Sequence, residues 1–131
     1  MASILKVDEL RGIVSAGDIT ITSEGGSATQ SLQQGLAKQW ADTNTAGTTL
    51  NDSLNVSSLT DNGAGDQTIT MTNAMNNATY SVNMSNQIEQ AAHVFLRATA
   101  TPKTTTVFRT GAYFSGYIDV AMATSTVGDL A

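Results

Sequence analysis

Only about a fifth of this chain is Leu, Ile, Val or Phe, close to the composition below which a polypeptide cannot enclose a core. The apolar total of 40% is made up in large part by alanine, which supplies nearly a third of it. At 131 residues the chain is long enough for one compact body with an arm. So thin a core in so small a body hides little surface within a monomer, and assembly with other copies is the expected source of further stability. Disulfides supply none, because the chain has no cysteine. That absence also removes thiolate nucleophiles and cysteine-based metal sites.

The polar residues are biased in the same direction. Charged residues are 13% of the chain, against roughly a quarter in an ordinary soluble domain, while Thr, Ser and Asn fill about 30% of positions. Solubility therefore rests on hydroxyls and amides, a profile that suits β-rich extracellular or virion-type proteins. A net charge of -5 and a pI near 4.4 argue against nucleic acid as a partner. No segment approaches the roughly 20 apolar residues of a membrane span, so no membrane insertion is expected. The start, Met1 to Glu9, lacks the apolar run of a signal peptide. The sequons at Asn51, Asn55, Asn77 and Asn83 are accordingly expected to carry no sugar.

Along the chain, the segment to Glu24 reads as two short strands, with Ile19 and Ile21 alternating onto one face. Eight large apolar side chains, Ile4, Leu5, Val7, Leu10, Ile13, Val14, Ile19 and Ile21, precede the break at Gly25-Gly26. The segment is too short to enclose them, so residues 1–26 are expected to be an arm that docks on a foreign surface, by strand addition to an exposed sheet edge. Ser27 to Gln30 reads as a capping box opening a helix over 27–41. Leu32, Leu36 and Trp40 recur every four positions as one narrow stripe. That stripe either packs on the chain's own sheet, forms a three-helix seam around a symmetry axis, or frays into a loop.

From residue 50 to 131 the spacing predicts an all-β head. Strand-like blocks run from Leu54 to Leu59, Thr68 to Thr72, Tyr80 to Met84, His93 to Thr99, Thr104 to Arg109 and Tyr117 to Ala123. Ile69 and Met71 should face inward and their threonine neighbours outward. Asn62-Gly63 predicts a hairpin from Leu54 to Thr72, with both residues at positive φ. Pro102 falls between blocks, where a proline costs no ladder hydrogen bond.

Residues with chemical potential were weighed against structural roles. His93, the sole histidine, has no carboxylate at ligand spacing and reads as a strand residue at a surface or subunit contact. Asp61 and Asp66 flank a glycine-rich turn but do not match a calcium loop, so a plain turn is favoured. No Gly-x-Ser-x-Gly elbow is present for nucleophilic catalysis. A pair of carboxylates for glycoside hydrolysis, distant in sequence, stays open as a rival reading. Tyr113, Phe114 and Tyr117 could stack on sugar rings at an exposed loop or form core at a closing hairpin. The shortage of large apolar residues favours core. No cofactor and no metal is expected.

Four stretches carry a resemblance. Ile4 to Leu10, Leu32 to Trp40, and Asp52 to Gly63 continued by Gly65 to Ile69 resemble the start, helix and hairpin of short fibre and fibre-like virion proteins of tailed bacteriophages, mostly marine ones. The closing Gly128 to Ala131 is similar to a common ending of the same group. The resemblance implies a non-enzymatic virion structural protein, built as a homotrimer and located on the particle surface. It would be a short fibre or a capsid decoration protein, since 131 residues without a shaft repeat are short for a long fibre. Virion docking would fall to Ile4, Leu5, Val7, Leu10, Ile19 and Ile21, and the trimer contact to Leu32, Leu36 and Trp40. Partners would be other capsid or tail proteins, with a host-surface glycan as a further candidate. The rival readings are a receptor-binding tail-fibre tip and a small host-glycan hydrolase. The expected fold is mainly β: an arm, a short helix and a small antiparallel, jelly-roll-like β-sandwich head, trimeric.

Overall fold

The computed structural model describes residues 5–11, 19–22, 26, 28–88, 91–97 and 102–131, and it divides into two units, Met1–Leu36 and Ala37–Ala131. Ile4, Ile13, Val14 and Ser27 lie outside the described residues. In the first unit β1 (Thr20–Thr22) pairs antiparallel with β2 (Thr29–Ser31), with Ile21 opposite Gln30. The backbone N–H of Leu32 donates to the carbonyl of Ile19 at 2.7 Å, which extends that ladder by one rung. Leu5 to Arg11 carry no regular secondary structure.

The helix expected over 27–41 does not form. Only one turn, α1 (Leu32–Gly35), is helical. Thr29–Ser31 is strand before it, and Ala37–Thr43 is strand after it. A helix of that length with Gly35 at its middle is marginal in water, where glycine costs about 1 kcal/mol relative to alanine. A strand with a neighbour on each side satisfies its backbone donors and acceptors fully, and here that alternative wins. Leu32, Leu36 and Trp40 therefore share no helical stripe, and Trp40 belongs to the second unit.

That unit is antiparallel β. Its strands are β3 (Ala37–Thr43), β4 (Leu50–Leu54), β5 (Val56–Asp61), β6 (Asp66–Met71), β7 (Ser81–Asn86), β8 (His93–Leu96), β9 (Val107–Tyr113) and β10 (Met122–Val127). They form two four-stranded sheets, ordered β4-β3-β10-β7 and β5-β6-β9-β8. The first and last strands of the unit, β3 and β10, are partners at the centre of one sheet, with Ala37 opposite Val127 and Ala41 opposite Thr124.

The block expected as one strand from Leu54 to Leu59 is two strands in different sheets. Between them stands only Asn55, at φ 56°, a left-handed conformation that asparagine tolerates better than most residues. Its side chain anchors the corner. Asn55 Nδ2 donates to the Lys38 carbonyl at 2.9 Å and to the Asn73 carbonyl at 3.2 Å. Asn55 Oδ1 accepts from the Asn73 N–H at 2.6 Å.

The hairpin β5–β6 forms as the sequence predicts, closed by Asn62 N–H to Asp66 C=O at 2.8 Å and Asp66 N–H to Gly63 C=O at 3.0 Å. Positive φ falls on Gly63 (116°) and Gly65 (61°) and not on Asn62. The last two strands run later in the chain than expected. Val107 N–H bonds the Thr104 hydroxyl oxygen at 3.1 Å and Thr104 N–H bonds the Val107 carbonyl at 2.7 Å, so residues 104–106 turn before β9 begins.

Ile69, Met71 and Phe108 of one sheet and Ala41 of the other are buried in a single cluster with Met75 and Tyr80. Ala112, Val120 and Met122 form a second cluster. The inward alternation of Ile69 and Met71 is as expected. Threonine, however, also enters the interior: Thr43, Thr110, Thr124 and Thr126 are buried with Gln39 and Gln67. With so few aliphatic side chains available, threonine methyls fill the space, and the hydroxyls of Thr43, Thr110 and Thr124 find local hydrogen-bond partners while that of Thr126 has none among the described residues. Thr43 Oγ1, for instance, accepts from Met122 N–H at 3.1 Å.

Candidate functional site

The outer face of the β6-β9-β8 sheet gathers most of the distinctive side chains. Strand β9 places Phe108, Thr110 and Ala112 inward, so Arg109, Gly111 and Tyr113 point outward by the two-residue period of a strand. Their cross-strand partners put His93 opposite Tyr113 and Phe95 opposite Gly111 on one side, and Asp66 opposite Gly111 and Thr68 opposite Arg109 on the other. Gly111 is needed there, because a Cβ at that position would stand only 2.7 Å from the Phe95 ring.

Asp66 is the electrostatic centre of this face. Its buried carboxylate receives Arg109 in a bidentate pair, Nε at 2.6 Å and Nη2 at 2.5 Å, and Arg97 Nε at 3.1 Å. The hydrogen bond from Arg109, reinforced by the two positive charges, holds the Asp66 carboxyl below its ordinary value of 3.8 despite burial. Arg97 also donates through Nη1 to the Gly65 carbonyl at 3.3 Å. The same guanidinium lies over the Tyr117 ring, with Cζ 4.0 Å from the centroid.

Tyr117 meets Tyr113 edge to face, with centroids 5.6 Å apart and planes at 85°. The two tyrosines are bridge partners across the five-residue tip Tyr113 to Tyr117. Ser115 sits at φ 52°, and Phe114 N–H donates to the Gly116 carbonyl at 2.8 Å. Beneath the tip, Ala112 N–H donates to the Gly65 carbonyl at 3.1 Å and Gly65 N–H donates to Asp119 Oδ1 at 2.7 Å. The loop is thereby tied to the β5–β6 hairpin.

Tyr113, Phe114 and Tyr117 are 44%, 47% and 51% exposed, which overturns the expectation that they form core. Parity counted from Phe108 gives the reason for Tyr113: Phe108, Thr110 and Ala112 point in, so the next residue must point out. Asp61 and Asp66 both have structural tasks. Asp61 Oδ1 accepts from Gly63 N–H at 2.8 Å, and Asp66 is taken up by arginine. His93 is an exposed strand residue. Among the described residues no group of three or more His, Cys, Asp or Glu is placed to hold a metal ion, and no helix is long and apolar enough to cross a membrane.

Of the residues expected to dock the arm, Leu5, Val7, Leu10 and Ile21 are exposed and Ile19 is half-buried, while Ile4 is outside the described residues. Leu36 is exposed, Leu32 half-buried, and Trp40 half-buried on β3 between Leu54 and Ser125. Sequence reasoning missed Phe95, Arg97 and Arg109 entirely. The readable signal was Gly111, a glycine inside a strand pattern, which marks a place where another group lies close. No family model matches the chain, and neither a curated protein nor a solved structure matches it.

Proposed function

We propose that this chain is a non-enzymatic bacteriophage virion structural protein, a short fibre or capsid decoration protein with an outward β-sandwich head. The observation that carries the reading is the exposure of apolar side chains on the first unit. Leu5, Val7, Leu10, Ile21 and Leu36 are large, apolar and at least half exposed in a chain that has few such residues to spare. A segment of that kind is suited to burial against another virion protein. The sequence resemblance to phage fibre-like proteins supplies the identity of the particle.

Homotrimeric assembly belongs to the same reading and rests on the thin core, now without a helical seam to carry it. The native mass of the isolated chain should then be near three times 13.6 kDa. Asp66 has its carboxyl held low by arginine, which unsuits that residue to the general-acid role a glycoside hydrolase needs.

The test is particle incorporation. Particles from cells producing this chain should contain it by mass spectrometry, and labelling should place it on their surface. The full-length variant carrying Leu5→Asp, Val7→Asp and Leu10→Asp should keep its native mass and lose incorporation. Particles without the wild-type chain would defeat the proposal, and normal incorporation of the variant would move the docking surface to the head.

A further inference from the structure

We propose that the Tyr113 to Tyr117 tip is a carbohydrate-binding platform that takes the apolar face of a neutral hexopyranose ring. The first argument is area. An aromatic side chain buries about 150–250 Å² when fully enclosed. Three rings each close to half exposed therefore offer a footprint of roughly 300 Å². A stable protein partner needs about 800 Å² per side. The tip is too small for a second copy of the chain and of a size for one or two sugar rings.

The second argument is composition. Hydrogen-bonding groups stand beside the rings: Ser115 is exposed at the tip, His93 lies beside Tyr113, and Arg97 backs Tyr117. A pyranose presents C–H groups on its faces and hydroxyls around its rim. Such a molecule stacks on one aromatic face at a time with polar groups at its edge. Tyr113 and Tyr117 stand at 85° to one another and Arg97 lies over one face of Tyr117, so the rings offer separate stacking faces in a cleft-like corner with polar groups beside them.

The third argument is charge. Two guanidiniums, Arg97 and Arg109, are matched by two carboxylates, Asp66 between them and Asp119 beneath the loop. The tip thus carries no surplus positive charge to recruit a uronate or a phosphate, and a neutral sugar is the matching ligand.

The fourth is preorganisation. The tyrosines are held by their bridge and their edge-to-face contact, Tyr117 by Arg97, and the loop base by Gly65, so little conformational entropy is lost on binding. This inference rests on the proposed function only in that the head faces outward.

The test uses the isolated full-length chain and a panel of neutral hexasaccharides in gluco, manno and galacto configuration, with hexagalacturonate as the charged comparison. Titration calorimetry and saturation-transfer NMR should detect at least one neutral hexasaccharide, with contacts at Tyr113, Phe114 and Tyr117. Phe114→Ala and Tyr113→Ala should each weaken it about tenfold, the scale of a lost ring contact, with the melting temperature of Phe114→Ala unchanged. Should Tyr113→Ala disturb the loop, Phe114→Ser carries the same test. Failure of every neutral probe to bind, binding that survives both substitutions, or binding of hexagalacturonate alone would each overturn the proposal. A native mass that falls when Phe114 is replaced would make the tip a subunit contact and overturn it too. None of these outcomes bears on particle incorporation, which the arm variant reads separately.

Discussion

The Asn55 side chain makes two hydrogen bonds with the Asn73 backbone, donating to its carbonyl and accepting from its N–H, at the single residue that joins β4 of one sheet to β5 of the other. Asn55 there combines a positive φ with three side-chain bonds. Asn55→Gly keeps the conformation and loses the bonds, while Asn55→Ala loses the bonds and strains the backbone. Urea unfolding should rank them Asn, Gly, Ala, with Asn55→Ala less stable by about 2–4 kcal/mol.

Asp66 should make the head sensitive to acid only at low pH. Its folded pKa lies below the ordinary 3.8, so its stabilising contribution is complete above that value and is lost as pH falls through the folded pKa. Asp66→Asn should remove about 2 kcal/mol at neutral pH, the scale of hydrogen bonds to charged groups, and should flatten the acid limb of a stability–pH curve.

Tyr80 should set the alkaline limb. Its ring is buried, its hydroxyl donates to the Thr104 carbonyl at 2.9 Å, and burial pushes its pKa up to about 12 from 10.0. The folded state holds the neutral phenol, so the Tyr80 contribution is constant below pH 10 and declines as pH rises from 10 toward about 12. A spectrophotometric titration should show a late ionisation that disappears in Tyr80→Phe.

Gln67 is buried in the inner face of β6, and among the described residues neither its Oε1 nor its Nε2 has a hydrogen-bond partner. An amide in that position costs stability. Gln67→Met, close in shape and without the polar atoms, should raise the unfolding free energy by about 1–2 kcal/mol in a denaturant titration.

How legible these features were depended on distance along the chain. The β5–β6 hairpin and the inward Ile69 and Met71 depend on neighbours within a few residues, and local spacing was enough to find them. The stripe of Leu32, Leu36 and Trp40 was equally local and misleading, because Trp40 is claimed by β4 and β10, whose positions no nearby residue encodes. Asp66 and Arg109 come from β6 and β9 and Arg97 from the residue just past β8, and only the register of those three strands brings them together. The exposure of Tyr113 was within reach of parity from Phe108. The expectation of core failed because it treated a scarcity of large side chains as a reason to bury all of them.

The pairing of β3 with β10 has a consequence for how the chain is made. Ala37 and Val127 are register partners at the middle of one sheet, so a ribosome must release nearly the whole head before that sheet can close. Until then β3 waits with one edge open, and closure over so long a separation is slow. The nascent head is therefore exposed to wrong strand pairing for the full time of its synthesis. The hydroxyl-rich, alanine-rich inner strands, poor in the large aliphatic runs that drive aggregation, are what allow a chain of this topology to wait safely.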